Sequence, residues 1–226
     1  MRKLATFIAA AFLSSTAAAA DLTPLPRSAV PQYPEIRGWF FGASLAGLGG
    51  TASAASPFQA GATVGIRAGF DVGYHGTWRD TFWFVEQTVA VQGVNASGNL
   101  SLGTALALQQ RYALGVPQSY LDRIAEWFRL RDGMPSLPAI STGGPPRPYI
   151  FASTYQDNVS ATLGPASRNV WLFSYGAGIG ALQRMQNGWV LDTSIEWKHD
   201  SGGIVIGGFA TQPFQNAYLA TIRVKM

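Results

Sequence analysis

The feature that most constrains this chain is an unbroken alternation of side-chain character over Phe58–His75. Even-numbered positions are apolar as far as the phenol of Tyr74, and odd-numbered positions are small or polar. Successive side chains of a strand point to opposite faces, so the pattern predicts one apolar and one polar face. Strands of soluble proteins average about 5–6 residues, whereas a tilted membrane strand needs about 9–11. The run is therefore typical of a strand in a membrane β-barrel.

The same alternation recurs along the chain and predicts eight strands. Within Leu100–Tyr112, the leucines 100, 102, 106 and 108 are expected on the outer face. Bacterial single-chain barrels have an even number of strands, with eight as the minimum, and only a closed sheet leaves no unpaired edge in lipid. We therefore expect an all-β fold, an eight-stranded antiparallel transmembrane up-and-down barrel with a short helical insertion. The eight predicted segments are Arg37–Gly50, Phe58–His75, Thr81–Gly93, Leu100–Tyr112, Tyr149–Tyr155, Asn169–Met185, Gly188–Ser201 and a last stretch, Tyr218–Met226.

Composition and the first residues agree with an exported protein. Charged residues make up 12% of the chain, about half of what a soluble domain carries. Residues 1–20 have a basic start, a short apolar stretch and an Ala-x-Ala site, which predicts a cleaved signal peptide. Residues 21–36 hold four prolines and predict an extended tether, leaving 37–226 as the barrel. The localisation expected from these features is the bacterial outer membrane.

Strand order then assigns the connections to two sides of the membrane. With both termini in the periplasm, Gln186-Asn187-Gly188 is a tight periplasmic turn, and four longer loops face outside. The segment 115–147 joins the fourth and fifth strands and contains a predicted amphipathic helix, Gln118–Arg131. That helix packs on or plugs the barrel rim, or docks an envelope partner or the membrane surface, or the strand count is wrong and the insertion lies outside. The four outer loops are predicted at Thr51–Pro57, Asn95–Gly98, Asp157–Arg168 and Gly202–Asn216.

Charged side chains on the inward parity are nearly balanced in sign. An eight-stranded barrel is just wide enough for side chains to fill it, and buried charges must pair. The prediction is a charge network that plugs the lumen, with a narrow permeation path as the alternative. Asp192 and Arg223 are expected to face each other across the last hairpin. The inward charges are Arg67, Asp71, Glu86, Arg111, Arg184, Asp192, Glu196, Lys198, Arg223 and Lys225.

Aromatic residues near the ends of the predicted strands indicate the two interfacial girdles that such barrels carry. The predicted girdle residues are Trp39, Tyr74, Trp78, Trp83, Trp171, Trp189, Trp197 and Tyr218.

The Pro-rich tether followed by Arg37-Gly38-Trp39-Phe40-Phe41-Gly42-Ala43 resembles the start of the small outer-membrane barrels of alphaproteobacteria, a porin-like family related in fold to OmpA-type barrels. The order of Gly and Trp differs from that family, and Met226 stands where a terminal aromatic normally helps the barrel-assembly machinery recognise the chain. The resemblance implies an eight-stranded barrel with a structural or surface role and without catalysis. Its expected partners are outer-membrane lipid or lipopolysaccharide and the assembly machinery.

A second, local resemblance concerns His199 and Ser201, which share the outward parity at the outer rim. The pair is similar to the His-x-Ser-Asn motif of lipid A 3-O-deacylases, in which it would supply a base and a nucleophile. Gly202 replaces the Asn, and no Asp or Glu follows Asp200, where that family places its acidic partner. An esterase is thus an alternative, and the first expectation is that the protein is not an enzyme.

The sequence does not predict a disulfide, a metal site, a cofactor site or a nucleic-acid site. Zero cysteines exclude disulfides and thiolate metal sites. Two histidines far apart in sequence do not predict a metal site, and no motif indicates a cofactor. Removing residues 1–20 takes two of the 16 basic side chains with it, so we expect no nucleic-acid binding.

Overall fold

The computed structural model describes residues 37–58, 60–79, 81–103, 105–117, 119–120, 146–185 and 187–226. They form one antiparallel sheet of ten strands. Eight strands are long, while β4 and β9 have three residues each. The described part of the chain contains no helix of the length and apolarity that crossing a bilayer requires. The strands are β1 Gly38–Ala54, β2 Ala60–Trp78, β3 Thr81–Gly98, β4 Leu100–Leu102, β5 Ala105–Gly115, β6 Arg147–Leu163, β7 Ala166–Arg184, β8 Val190–Asp200, β9 Ile204–Ile206 and β10 Phe209–Lys225.

The sheet closes because β1 pairs with β2 on one side and with β10 on the other. The eight long strands follow chain order around the barrel, and β4 and β9 are short additions beside β6 and β10. The predicted fold class is confirmed: the chain is a closed, eight-stranded, antiparallel up-and-down barrel.

The register fixes how the barrel is tilted. Stepping across the eight strands from Trp39 returns to β1 at Gly49, ten residues further along. With ordinary strand spacings, that offset gives a tilt of about 40° and a rise of about 2.5 Å per residue along the barrel axis. The tilt lies within the range of transmembrane barrels, about 35–45°. The row passes through Tyr74, Val85, Tyr112, Ala152, Ala177, Trp197 and Tyr218.

The two faces of the strands separate as the alternation predicts. On β2, Phe70 is 78% exposed on the outside, whereas Arg67 and Asp71 are buried in the lumen. The same parity holds from Trp39 to Leu45 on β1 and from Tyr218 to Met226 at the end of the chain. We call the end of the barrel that holds Gly38 and Met226 the terminal end, and the opposite end the hairpin end.

Near the hairpin end the side chains keep alternating between the two faces, but the inward ones become apolar and the outward ones become polar. On β6, Ile150 faces outward and Ser153 inward, whereas further along Val159 faces inward and Ser160 lies on the outward parity. The strands therefore leave an apolar outer zone and continue as a barrel with a polar outside and an apolar inside. Fourteen buried side chains from eight strands, β4 and β9 among them, make this apolar interior.

This extension corrects the four predicted outer loops. β6 and β7 continue through the expected loop Asp157–Arg168 and meet in a turn at Gly164 and Pro165. β1 continues to Ala54, and β3 includes the expected loop Asn95–Gly98. Within Gly202–Asn216, β9 and β10 form a hairpin whose turn glycines, 207 and 208, have positive φ. The loop predictions were wrong because polar outward residues indicated a loop, although the inward positions remained apolar.

The predicted outward positions of Leu100 and Leu102 were also wrong, since both are buried inside. Leu102 is opposite Ala161 and Leu106 is opposite Asn158. The stretch from Leu102 to Leu106, which joins β4 to β5, therefore uses one residue more than the facing stretch of β6. This extra residue is a bulge. A bulge of one residue reverses which face the following side chains occupy.

Three sequence predictions fall outside the described residues. The signal peptide (1–20) and the tether (21–36) lie there entirely, and of the predicted helix Gln118–Arg131 only Ser119 and Tyr120 are described. The insertion 115–147 departs from β5 and returns to β6 at the terminal end of the barrel.

Candidate functional site: the lumen and the outward belt

The centre of the lumen is occupied by six charged side chains. The Arg111 guanidinium lies 3.0 Å from Glu86 and 2.6 Å from Asp192. Lys225 bridges the same two carboxylates at 2.6 and 2.7 Å. The Nε of Arg223 lies 3.2 Å from Glu86 and 3.7 Å from Asp71. We call these six residues the central charge cluster.

The central charge cluster is neutral as a set, with three cations and three carboxylates, and all six side chains are buried. Its members come from β2, β3, β5, β8 and β10, so it connects five of the eight long strands across the lumen. Burial without partners would cost several kcal/mol per charge. The barrel can therefore bury these six charges only because each cation lies next to a carboxylate.

Asp192 and Arg223 have the predicted register, but their side chains make their close contacts with other residues. The two residues are opposite each other in the register of β8 and β10, as predicted. Asp192 nevertheless makes its close ion pairs with Arg111 and Lys225, and the Arg223 guanidinium donates a 3.0 Å hydrogen bond to Ser194.

A second polar group lies nearer the hairpin end. Lys198 pairs with Asp157, and its ammonium also lies 4.5 Å from the ring centre of Tyr155. Glu196 accepts hydrogen bonds from Gln109 at 3.1 Å and from Ser153. Arg67 lies over the Tyr155 ring at 5.4 Å.

Two apolar layers close the lumen on either side of these charges. At the terminal end a cluster built around Phe40, Phe84 and Tyr149 fills the barrel, and at the hairpin end the aliphatic interior described above does so. A gap between the layers, beside Ser44, Arg67 and Gln109, is too narrow for a water molecule. The structure therefore has a packed lumen.

The predicted girdle residues lie on the outer surface, and all except Trp171, which lies further towards the hairpin end, are near one of two levels. Trp39 and Trp78 are 72% and 61% exposed at the terminal end, and Trp39 meets Tyr74 edge-on at 5.7 Å. Trp197 and Tyr218 are register partners towards the hairpin end. Trp197 and Tyr218 lie six and seven strands along the register row that starts at Trp39, so they lie about 19 and 22 Å above it, close to the roughly 25 Å height of the apolar band of an outer-membrane barrel. The remaining predicted members, Trp83, Trp171 and Trp189, are half-buried or exposed on the same face.

His199 and Ser201 lie on the outward face near the hairpin end, at the level of the second girdle. The His199 ring stacks on Trp197 at 5.6 Å and lies 5.6 Å from Tyr175. Ser201 Oγ donates a 2.7 Å hydrogen bond to the carbonyl of Phe173. Asp200 is buried in the lumen and accepts hydrogen bonds from Ser174 and from the amide of Phe214. The structure thus gives both side chains of the motif other partners and turns its nearest carboxylate away.

Sequence reasoning missed several polar residues of the lumen. Asp157 was assigned to a loop, although the alternation Tyr155, Asp157, Val159 continues unbroken and would have placed it inside. Tyr149, which accepts a hydrogen bond from Arg111 in the lumen, carries no charge to single it out. His75 was placed on the inward parity and is buried against Phe40. Within the described ranges, no group of three or more metal-binding side chains is suited to hold an ion.

Comparisons with known proteins return distant outer-membrane barrels. Neisserial surface protein A is 14% identical, with a TM-score of 0.49, over 84% of this chain and 96% of its own. Ail, the attachment invasion locus protein of Yersinia pestis, is 9% identical, with a TM-score of 0.41, over 84% of this chain and 100% of its own. The translocator domain of the autotransporter NalP from Neisseria meningitidis is 10% identical, with a TM-score of 0.36, over 98% and 96%. No protein-family profile and no curated protein matches the chain.

Proposed function

We propose that this protein is an outer-membrane barrel with a structural or surface-interaction role in the bacterial envelope, and that it neither transports solutes nor catalyses a reaction. The observation that carries the proposal is the change of polarity along the strands. The outer face is predominantly apolar for about 20 Å between two aromatic levels and becomes polar near the hairpin end, as expected where strands pass from lipid into water.

The orientation follows from the same change. The strands extend past the apolar belt at the hairpin end, which suits the outer surface of the cell, and the terminal end then faces the periplasm. Lipopolysaccharide would contact the outer part of the belt, and the assembly machinery would receive β10. The similarity of residues 37–43 to the small alphaproteobacterial barrels supports placing the chain in that class.

The experiment that tests the proposal is electrophoresis of the mature protein refolded in detergent, with and without boiling. A closed barrel keeps its shape in unboiled samples and shifts in mobility after heating. A mature chain that is folded and monodisperse in buffer without any amphiphile would contradict the proposal.

A packed lumen supports a non-conducting barrel over the alternative of a narrow porin-like channel. Three layers, aromatic, charged and aliphatic, lie in series along the axis. We expect no conductance steps from the purified protein in planar bilayers. Stable openings at low voltage would favour the channel.

The second alternative, a lipid A deacylase, rests on His199 and Ser201 alone. Their outward position is where an acyl ester of lipid A would lie, but Ser201 Oγ is hydrogen-bonded to a carbonyl and Asp200 points inward. We expect the lipid A mass spectrum of producing cells to match that of cells with the Ser201→Ala variant. An acyl chain lost only with the unaltered protein would establish the esterase.

A further inference from the structure

Among the described residues, the lipid-facing belt has its largest polar interruption on three neighbouring strands, and the isolated Thr193 of β8 is a smaller one. Gln87 of β3, Gln110 of β5 and Thr154 of β6 are consecutive register partners, and all three side chains are exposed. Gln156 follows on the outward face of β6. The outward residues between the two aromatic levels on β1, β2, β7 and β10 are by contrast apolar or glycine. We call Gln87, Gln110 and Thr154 the amide patch.

The amide patch lies close to the middle of the belt. The register offset of 1.25 residues per strand puts Gln87 about 11 Å and Gln110 about 14 Å above Trp39 along the barrel axis. Both amides thus lie between the two aromatic levels and not at either one, so they are inside the apolar belt. Uncompensated polar groups are costly in hydrocarbon.

The barrel itself provides few hydrogen-bond partners for these amides. Tyr112 donates a long hydrogen bond, 3.4 Å, to Gln110 Oε1. Among the described residues, the structure gives the Gln110 amide nitrogen and the Gln87 side chain no hydrogen-bond partner. Donors and acceptors thus remain available to a second molecule in the membrane.

A shallow apolar hollow lies beside the patch, on the same side of the barrel. It has a volume of about 570 Å³ and is formed where the small outward residues Ala152 and Ala177 lie next to Tyr112 and Ile150. A hollow next to unsatisfied amides is a surface suited to packing against another protein.

We propose that this face, from β3 to β6, is the contact between two copies of this chain in the membrane. Copies inserted in the same orientation hold each residue at the same depth, so a two-fold axis along the membrane normal brings amide opposite amide. A glutamine side chain both donates and accepts, which makes the patch complementary to itself. The proposal rests on the membrane-barrel function proposed above.

The test compares the unaltered mature protein with the Gln87→Leu/Gln110→Leu double variant by sedimentation equilibrium in density-matched micelles. The unaltered protein is expected to dimerise. A hydrogen bond inside a membrane is worth about threefold in association on average, so losing two to four of them weakens the dimer on the order of tenfold to fiftyfold. Ile222→Leu is the matched control, since Ile222 lies at about the same height on β10, four strands away.

Cysteine cross-linking in vesicles gives a second readout, because the chain has no cysteine of its own. Gln110→Cys is expected to form a covalent dimer upon oxidation, and Ile222→Cys is expected not to. Equal cross-linking of the two variants, an unaltered protein that stays monomeric, or a double leucine variant that associates as tightly as the unaltered chain would each overturn the proposal. The heat-dependent gel shift of the unaltered protein separates the failures: a monomer that shows the shift refutes only the dimer, and a missing shift refutes the barrel in the membrane.

Discussion

Replacing Arg111 by Met tests directly whether the central charge cluster holds the barrel together. The guanidinium is fully buried between Glu86 and Asp192 and lies about 5 Å from the rings of Phe84 and Phe151. Methionine fills a similar length with an apolar, flexible chain, so the main change is one lost positive charge. The neutral set of six becomes a buried set with one excess carboxylate, and breaking a buried pair in this way costs about 3–5 kcal/mol.

A second substitution separates charge from packing. The double variant Arg111→Met/Asp192→Asn restores neutrality, while Asn keeps the shape of the aspartate. If compensation is the cause, its loss of stability is smaller than the sum of the two single losses by more than about 1 kcal/mol, a coupling typical of contacting residues.

The measurement is urea unfolding of the refolded mature protein in vesicles, followed by tryptophan emission and by mobility in unboiled gels. The matched control is Arg168→Met, since Arg168 is exposed and makes one hydrogen bond to the carbonyl of Val205; a change within about 1 kcal/mol is expected there. An Arg111→Met variant as stable as the control, or losses that simply add in the double variant, would refute the account of the lumen.

Two further predictions concern the packing of the lumen. Gly176→Val is expected to abolish the folded band in unboiled gels, because a Cβ at Gly176 would lie 2.7 Å from the carbonyl oxygen of Trp197 and would clash with Glu196 Oε1. At Gly47 a Cβ meets open space, so Gly47→Val is expected to keep the band. Two variants that fold alike would contradict the inward packing. Phe84→Ala is expected to lower the free energy of unfolding in urea by about 3–5 kcal/mol. The variant is still expected to show no conductance in planar bilayers, since the aliphatic layer remains closed. Open channels in this variant would mean that the aromatic layer alone seals the barrel.

The barrel architecture could be predicted from the sequence because a strand that faces lipid shows a clear alternation of apolar and polar residues. A strand with bilayer on one side must alternate, and the run containing Phe70 and Asp71 shows this without ambiguity. The number of long strands and the closure followed from repeating that pattern eight times. The parity also placed the six residues of the central charge cluster on the inward face, where the structure has them.

What the sequence could not give depends on register and on where the lipid ends. Choosing the partners of Asp192 requires the positions of Arg111 and Lys225 across the lumen, which no spacing along one strand contains. The inward position of Leu102 depends on a one-residue bulge. Asp157 was missed because the outward face of β6 turns polar beyond the belt, and a polar run of that kind indicates a loop as readily as a strand in water.

The most direct test of the central claim is a spin-label scan of β2, one cysteine at a time from Ala62 to Tyr74, in a chain with no other cysteine. Collision with oxygen, which concentrates in lipid, is compared with collision with a water-soluble nickel chelate. We predict that labels at even positions collide with oxygen with a maximum near Phe70, and that labels at odd positions collide with neither. Even positions that collide with the nickel chelate throughout, or a scan without a period of two, would contradict a closed barrel surrounded by lipid.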